Sequence, residues 1–234
     1  MTLFRKLSTC IACTLATIAV LAMPPESRAV ADAPPATAAT PRVVDLHVDL
    51  PFALYTHVHT IDDASAETSF DRLRRGRSGV LVLPLFIRAA STKTPLQVRE
   101  AYNATYQGLM AALSTPAAQQ EISPPGVPEA EGKVATLLSF EGADGFADDP
   151  NEIIPWIKRG ACIVGLVHVR TNALAGSSGD PKRDKRAVGI TDKGRALIQV
   201  VYSNGALIDV AHASDAMIDE LVPIANAFNA PIRR

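Results

Sequence analysis

The sequence predicts an α/β fold on a parallel sheet with crossover helices, and three observations carry that reading. Five short apolar runs rich in Val, Ile and Leu recur between residues 43 and 210, and segments with helical spacing separate them. Polar residues able to do chemistry follow these runs at their C-terminal ends. No Gly-rich phosphate loop follows any run, which argues against a dinucleotide-binding sheet. The composition agrees: of 234 residues, 47% are hydrophobic and 20% charged, enough for a sizeable core and unlike a disordered chain. With 23 basic and 24 acidic residues the formal net charge is −1, so there is no electrostatic footprint for nucleic acid or an anionic membrane.

The first strand is expected over Val43–Val48 and the second over Gly79–Phe86, a continuous apolar run of the buried parallel kind whose far half is weakened by Pro84. Apolar residues at helical spacing place a helix over Leu96–Leu113. Four prolines make Ser114–Gly132 a loop, Val134–Phe140 is the third strand, and Asn151–Arg159 is a short helix ended by Gly160. Cys162–Val167 is the fourth strand and the polar stretch Thr171–Val188 a long loop. Thr191 caps a helix through Ser203, which Asn204-Gly205 ends, Ala206–Val210 is the fifth strand, and Ser214 caps a helix to Asn229. Pro231-Ile232 reads as the opening of a sixth strand. A (β/α)8 barrel takes eight strands and about 250 residues, so five strands and a stub make an incomplete one.

The N-terminus reads as an export signal. Arg5 and Lys6 precede an apolar run from Ile11 to Met23, too short for a stable membrane span, and Ala29-Val30-Ala31 offers the small-x-small pattern of a cleavage site. Residues 1–31 are therefore expected to be removed, 32–41 to be an Ala/Pro/Thr tether, and 42–234 to form the domain of an exported, periplasmic or secreted protein. Cys10 and Cys13 sit at the start of the apolar run, where a lipidated cysteine does not belong. Cys162 is then the one remaining cysteine and reads as an inert core thiol.

His47 and Asp49 follow the first strand two residues apart, so in extended chain they point the same way. Glu141 directly follows the third strand, His168 the fourth and His212 the fifth. Each has a plainer structural reading: Glu141 as a helix cap, His168 as a core histidine, His212 as a residue at a helix start. Together they form a stronger case, because strand ends of a parallel α/β fold converge on one rim, and imidazoles with carboxylates suit divalent zinc. His57 and His59 lie in a polar stretch and are not assigned. The sequon Asn103-Ala104-Thr105 falls in a helix and is a weak signal, while Arg72, Arg74, Arg75 and Arg77 read as a solvated helix face and Lys182–Arg186 as a solvent-facing loop.

Several motifs resemble the membrane dipeptidase family, also called renal dipeptidase or peptidase family M19. Asp45-Leu46-His47-Val48-Asp49-Leu50-Pro51 resembles its opening metal motif and Ser139-Phe140-Glu141-Gly142-Ala143 its central glutamate motif. Gly165–His168 with Asn172–Ser177 resembles its substrate-histidine segment. Gly189–Gly194 and Leu207–Ser214 resemble the helix and strand that bring a further ligand. The resemblance implies a (β/α)8 barrel of the metal-dependent hydrolase type with two zinc ions, cleaving dipeptides, some with a D-residue at the C-terminal position. Carried over by position, His47 and Asp49 bind the first zinc, Glu141 bridges both, and His212 binds the second. His168 and Asn172 bind the substrate, and His168 with Glu141 serves the reaction, a metal-bridging hydroxide being the nucleophile. The partners expected are a small dipeptide and at most a second copy of the chain. The family's second zinc takes one further histidine, which this sequence does not reach, so the chain is expected to be truncated, marginally stable and weak or inactive. Two alternatives stand beside it: a non-catalytic fragment or binding module, and a single-metal amidohydrolase, against which Asp49 counts in place of a second histidine.

Overall fold

The computed structural model describes residues 42–228, apart from 57–59, 62, 64–67, 89, 91–92 and 128–129. The expected signal segment 1–31, the tether 32–41, His57, His59 and Pro231-Ile232 lie outside the described residues. The chain order is β1 (Val43–Asp45), α1 (Leu50–Tyr55), α2 (Phe70–Arg75), β2 (Ser78–Leu85), α3 (Pro95–Leu113), α4 (Pro116–Glu121) and β3 (Ile122–Ser123). β4 (Val134–Glu141), α5 (Ile154–Lys158), β5 (Ala161–Gly165), α6 (Arg183–Arg186), α7 (Asp192–Ser203), β6 (Leu207–Asp209) and α8 (Asp215–Ala227) follow. All pairings are parallel, in the order β1-β2-β4-β5-β6, and the sheet curls into part of a (β/α)8 barrel.

The central strands are buried because they are apolar along their whole length. Leu83, Leu85, Leu138 and Val164 have no exposed surface, as befits strands covered on both faces. Pro84 does not shorten β2: it pairs in register with Ser139, and the strand runs to Leu85. Outside the sheet, α3 lays Tyr102 into an aromatic cluster with Phe140, Phe146 and Trp156, at centroid separations of 5.0, 5.8 and 6.4 Å. Thr94 starts α3 with a reciprocal capping box to Gln97. β1 lies at one edge of the sheet, with Val43 50% and Val44 56% exposed.

Two expectations are corrected. The segment 114–132 is not all loop. Thr115 caps α4, whose first residue is Pro116, a position where the missing N–H costs nothing. β3 then pairs with Val134 and Ala135, so it shares an edge of β4 with β5, which pairs further along. Four prolines signalled irregular chain, but two of them mark a helix start and a strand exit. In the loop 171–188, the charged run forms the single turn α6, exposed as a solvent-facing segment should be. The basic cluster falls largely on α2, where Arg74 pairs with Glu121 at 2.6 Å and Arg75 with Asp71 at 2.9 Å. Cys162 is half-buried, and burial pushes its thiol pKa up.

The first turn of α7 fixes the loop that leaves β5. Thr191 N and Oγ1 donate to Leu174 O at 2.9 and 3.0 Å, and Gly194 lies against the same carbonyl. A Cβ on Gly194 would come within 2.2 Å of Leu174 O. Alanine favours a helix interior over glycine by about 1 kcal/mol, but the clash with backbone outweighs it. Gly194→Ala is therefore expected to lower stability by about 1–3 kcal/mol, read as a fall in the urea midpoint.

Candidate metal centre

The strand order delivers five predicted residues to one rim. Extended pairing of the first strand continues past Asp45, since Val48 N donates to Val82 O at 2.9 Å. Val48 is buried, and the residues on either side of it, His47 and Asp49, turn outward together. His47 Nε2 lies 3.4 Å from Asp49 Oδ1 and 3.8 Å from Glu141 Oε2. Glu141 is the last residue of β4, paired with Gly165 of β5. Its other oxygen, Oε1, lies 2.9 Å from His212 Nε2 and 3.3 Å from His168 Nε2. The two donor sets are thus His47, Asp49 and Glu141, and Glu141, His168 and His212. Glu141 joins them through its two oxygens, and its side chain is the least exposed of the five, at 13%.

His168 and His212 are held at their backbone carbonyls by two serines of one loop. His212 lies beyond the end of β6 at φ 61°, an uncommon conformation for a residue with a Cβ. Ser178 holds it there, its N–H and Oγ–H donating to His212 O at 2.9 and 3.2 Å. His168 O accepts from Ser177 Oγ at 2.5 Å. The His168 ring packs edge-on against His212 at 4.7 Å and against Phe86 at 5.4 Å, and Phe86 in turn lies 4.5 Å from Phe52. Burial holds the His168 pKa below its ordinary value, only partly offset by the Glu141 charge.

The chain after Glu141 turns sharply at Gly142, φ 86°, where a Cβ would lie 3.2 Å from Asp144 Oδ2 and 3.4 Å from the Cβ of His168. The wholly buried Tyr102 hydroxyl donates to Gly142 O at 2.6 Å, and burial drives its pKa well up. Arg99 adds bonds to Gly145 O and to Asp148, both at 2.5 Å. α3 therefore anchors the turn that presents the carboxylate.

Asn172 is placed differently from the other predicted residues. Its Nδ2 donates to Asp144 Oδ2 at 2.9 Å and to Leu166 O at 2.8 Å. Its Oδ1 accepts from the amides of Leu174 and Ala175. Its amide is committed to the chain's own loops. Asp144, Phe52 and Phe86 were not singled out in the sequence. A carboxylate three residues beyond a rim glutamate is the signal that marks Asp144; the two rings carry none, since apolar residues near strand ends are ordinary.

The donor chemistry fits zinc. Tetrahedral zinc with ligand bonds near 2.05 Å sets its donors about 3.3 Å apart; the imidazole–carboxylate separations here run from 2.9 to 3.8 Å, and all donor atoms of each set lie within 4.8 Å of one another. A parallel barrel sheet with two joined imidazole–carboxylate sets at its C-terminal rim makes this an α/β protein of the barrel class with a candidate metal centre. The family follows from the sequence match. Residues 36–232 match the model of membrane dipeptidase (peptidase family M19), and the chain belongs to that family.

Solved structures share the fold. A metallo peptidase from Rhodobacter sphaeroides, liganded with a phosphinate mimic of the dipeptide L-Ala-D-Ala, aligns at TM-score 0.58 and 15% identity, covering 78% of this chain and 62% of its own. The probable dipeptidase PvdM from Pseudomonas aeruginosa aligns at 0.63 and 20% identity, covering 77% and 48%. Dipeptidase AC, a metallo peptidase of family M19, aligns at 0.58 and 18%, covering 79% and 60%. The chain thus matches between 48% and 62% of the length of these three structures.

Gly142→Ala is expected to cost about 1–3 kcal/mol of stability from its left-handed backbone alone. Because the new methyl also presses on Asp144 and His168, the imidazole nitrogen resonances of His168 should shift as well.

Proposed function

We propose that this chain is a zinc-dependent dipeptidase that cleaves small dipeptides at the rim of its curled sheet. The observation that carries the reading is the Glu141 carboxylate, with one oxygen facing His47 and the other facing His212 and His168. His47, Asp49 and Glu141 would hold one zinc, and Glu141 with His212 would contribute to a second. Bound there, zinc supplies a Lewis acid and a water acidified to near neutral pKa.

The chain's own residues supply the rest. Glu141 is shielded from solvent, so its charge is little screened and its two oxygens keep the donor sets in register. His168 is further from Glu141 than His212 is, and its ring is wedged against Phe86. We therefore assign its Nε2–H to the peptide carbonyl oxygen, where a donor stabilises the charge that develops in the transition state. The Phe52–Phe86 pair walls that side of the rim and limits water around the imidazole. Asn172 acts on the site through the loops it ties together. The ligand of the Rhodobacter sphaeroides structure, a phosphinate mimic of the dipeptide L-Ala-D-Ala, supports a dipeptide as the substrate class.

The test is zinc titration of the full chain together with hydrolysis of L-Ala-L-Ala and L-Ala-D-Ala. Zinc-dependent turnover, however slow, that chelation abolishes and zinc restores is expected. Glu141→Gln should lower kcat/KM by about 1,000-fold, roughly 4 kcal/mol. Zinc binding without turnover of any dipeptide would instead favour a non-catalytic binding module.

We also propose export, supported by the basic, apolar and small-residue order of residues 1–31. N-terminal sequencing of the protein made in a secreting bacterial host should begin at Asp32. A mature protein that keeps Met1 would refute it.

A further inference from the structure

We propose that Asp144 and Asn172 form a positioning pair that sets His168 against Glu141, and that Asn172 at the same time keeps the Asp144 carboxylate from joining the metal centre. The inference rests on the dipeptidase reading above for its catalytic consequence, but the placement of the loops does not. Two loops meet here. One leaves β4 and carries Glu141, Gly142 and Asp144; the other leaves β5 and carries Leu166, His168 and Asn172. They are tied at two points: Ala143 N donates to Leu166 O at 3.2 Å, and Asn172 Nδ2 donates both to Asp144 Oδ2 and to the same Leu166 carbonyl. With Oδ1 taking the Leu174 and Ala175 amides, every donor and acceptor of the Asn172 amide is used.

The two loops leave a gap at Gly142 too tight for a further carbon. Asp144 Oδ2 and the His168 Cβ lie 3.2 and 3.4 Å from the position a Gly142 Cβ would take. The Asp144 carboxylate thus borders the same narrow gap as His168, and Asn172, which holds both that carboxylate and the carbonyl two residues before His168, ties the two sides together. Asp144 lies three residues from Glu141, yet it belongs to neither donor set among the described residues. Burial raises its pKa, and the Asn172 hydrogen bond works the other way, favouring the charged form that accepts it. An amide at 172 is the residue type that can do this: it gives Asp144 a donor and gives the backbone amides of 174 and 175 an acceptor in one planar group.

The experiment uses the full chain carrying Asp144→Asn, Asn172→Asp or both. Asn172→Asp sets two carboxylates face to face and removes the donor. The double variant exchanges amide and carboxylate and restores one bond between them. The expected result for Asn172→Asp is a fall in kcat of about 30-fold with KM within about threefold, from a sub-ångström shift of His168. Zinc affinity should stay within about threefold, and the exchange variant should recover most of the lost kcat. Loss of zinc affinity in parallel with kcat, or an exchange variant no better than Asn172→Asp, would overturn the proposal. The imidazole nitrogen shifts of metal-free protein give a readout independent of turnover. Asp144→Asn, which keeps side-chain volume, should move the His168 resonances and leave those of His47 in place. If the wild-type chain binds zinc but cleaves no dipeptide, the functional reading fails while this shift still decides the pairing: an unmoved His168 resonance refutes it, a moved one upholds it.

Discussion

The structure depends on a single carboxylate held at the end of a buried strand. Glu141 is the last residue of β4, flanked by β2 along one edge and by β5 at its C-terminal end, and its two oxygens face histidines from opposite parts of the sheet. A charge so little exposed is tolerated because three imidazoles converge on it. The rest of the architecture keeps that convergence fixed. The aromatic packing of Tyr102, Phe140, Phe146 and Trp156 anchors the turn behind the carboxylate, and the Tyr102 hydroxyl bonds to the backbone of the next residue. The core and the centre are thus one mechanical unit, since the residue before Glu141 belongs to the cluster and the residue after it is bonded to it.

Around that unit, hydroxyl and amide side chains do the aiming. Ser177 and Ser178 are neighbours, yet one bonds to the carbonyl of His168 and the other to that of His212, so a single bend of chain orients two imidazoles. Thr191 and Gly194 secure Leu174 from behind, which in turn donates to Asn172. The polar loop 171–188 carries no ligand itself. Its work is to hold the backbones that do.

Much of this was legible in the sequence for a simple reason. Parallel strands are uniformly apolar, so the point where polarity begins marks the rim, and His47, Asp49, Glu141 and His212 stand just beyond such points. The helices of residues 95–113, 192–203 and 215–227 were legible from spacing and caps, Thr191 and Ser214 among them. What was hidden depended on contacts between distant segments. β3 has two residues and is a strand only because β4 offers it partners. Asn172 reads as a polar loop residue near a histidine, and only the fold shows that its amide is spent on Asp144 and Leu166. The left-handed backbone of His212 has no signature in residue type, because it is imposed by Ser178 from a separate loop.

The placement of His47 and His212 has a consequence for folding kinetics. They follow the strands at the two ends of the order β1-β2-β4-β5-β6, and 165 positions of chain separate them, yet both reach the same carboxylate. The centre therefore comes into being only when the whole sheet has been laid down, which places its assembly among the slow, high-contact-order steps. A cation that engages the two donor sets sees the finished molecule and not its precursors, so its binding energy adds to the native state alone. Saturation with metal then becomes a measure of how much of the chain has completed its topology.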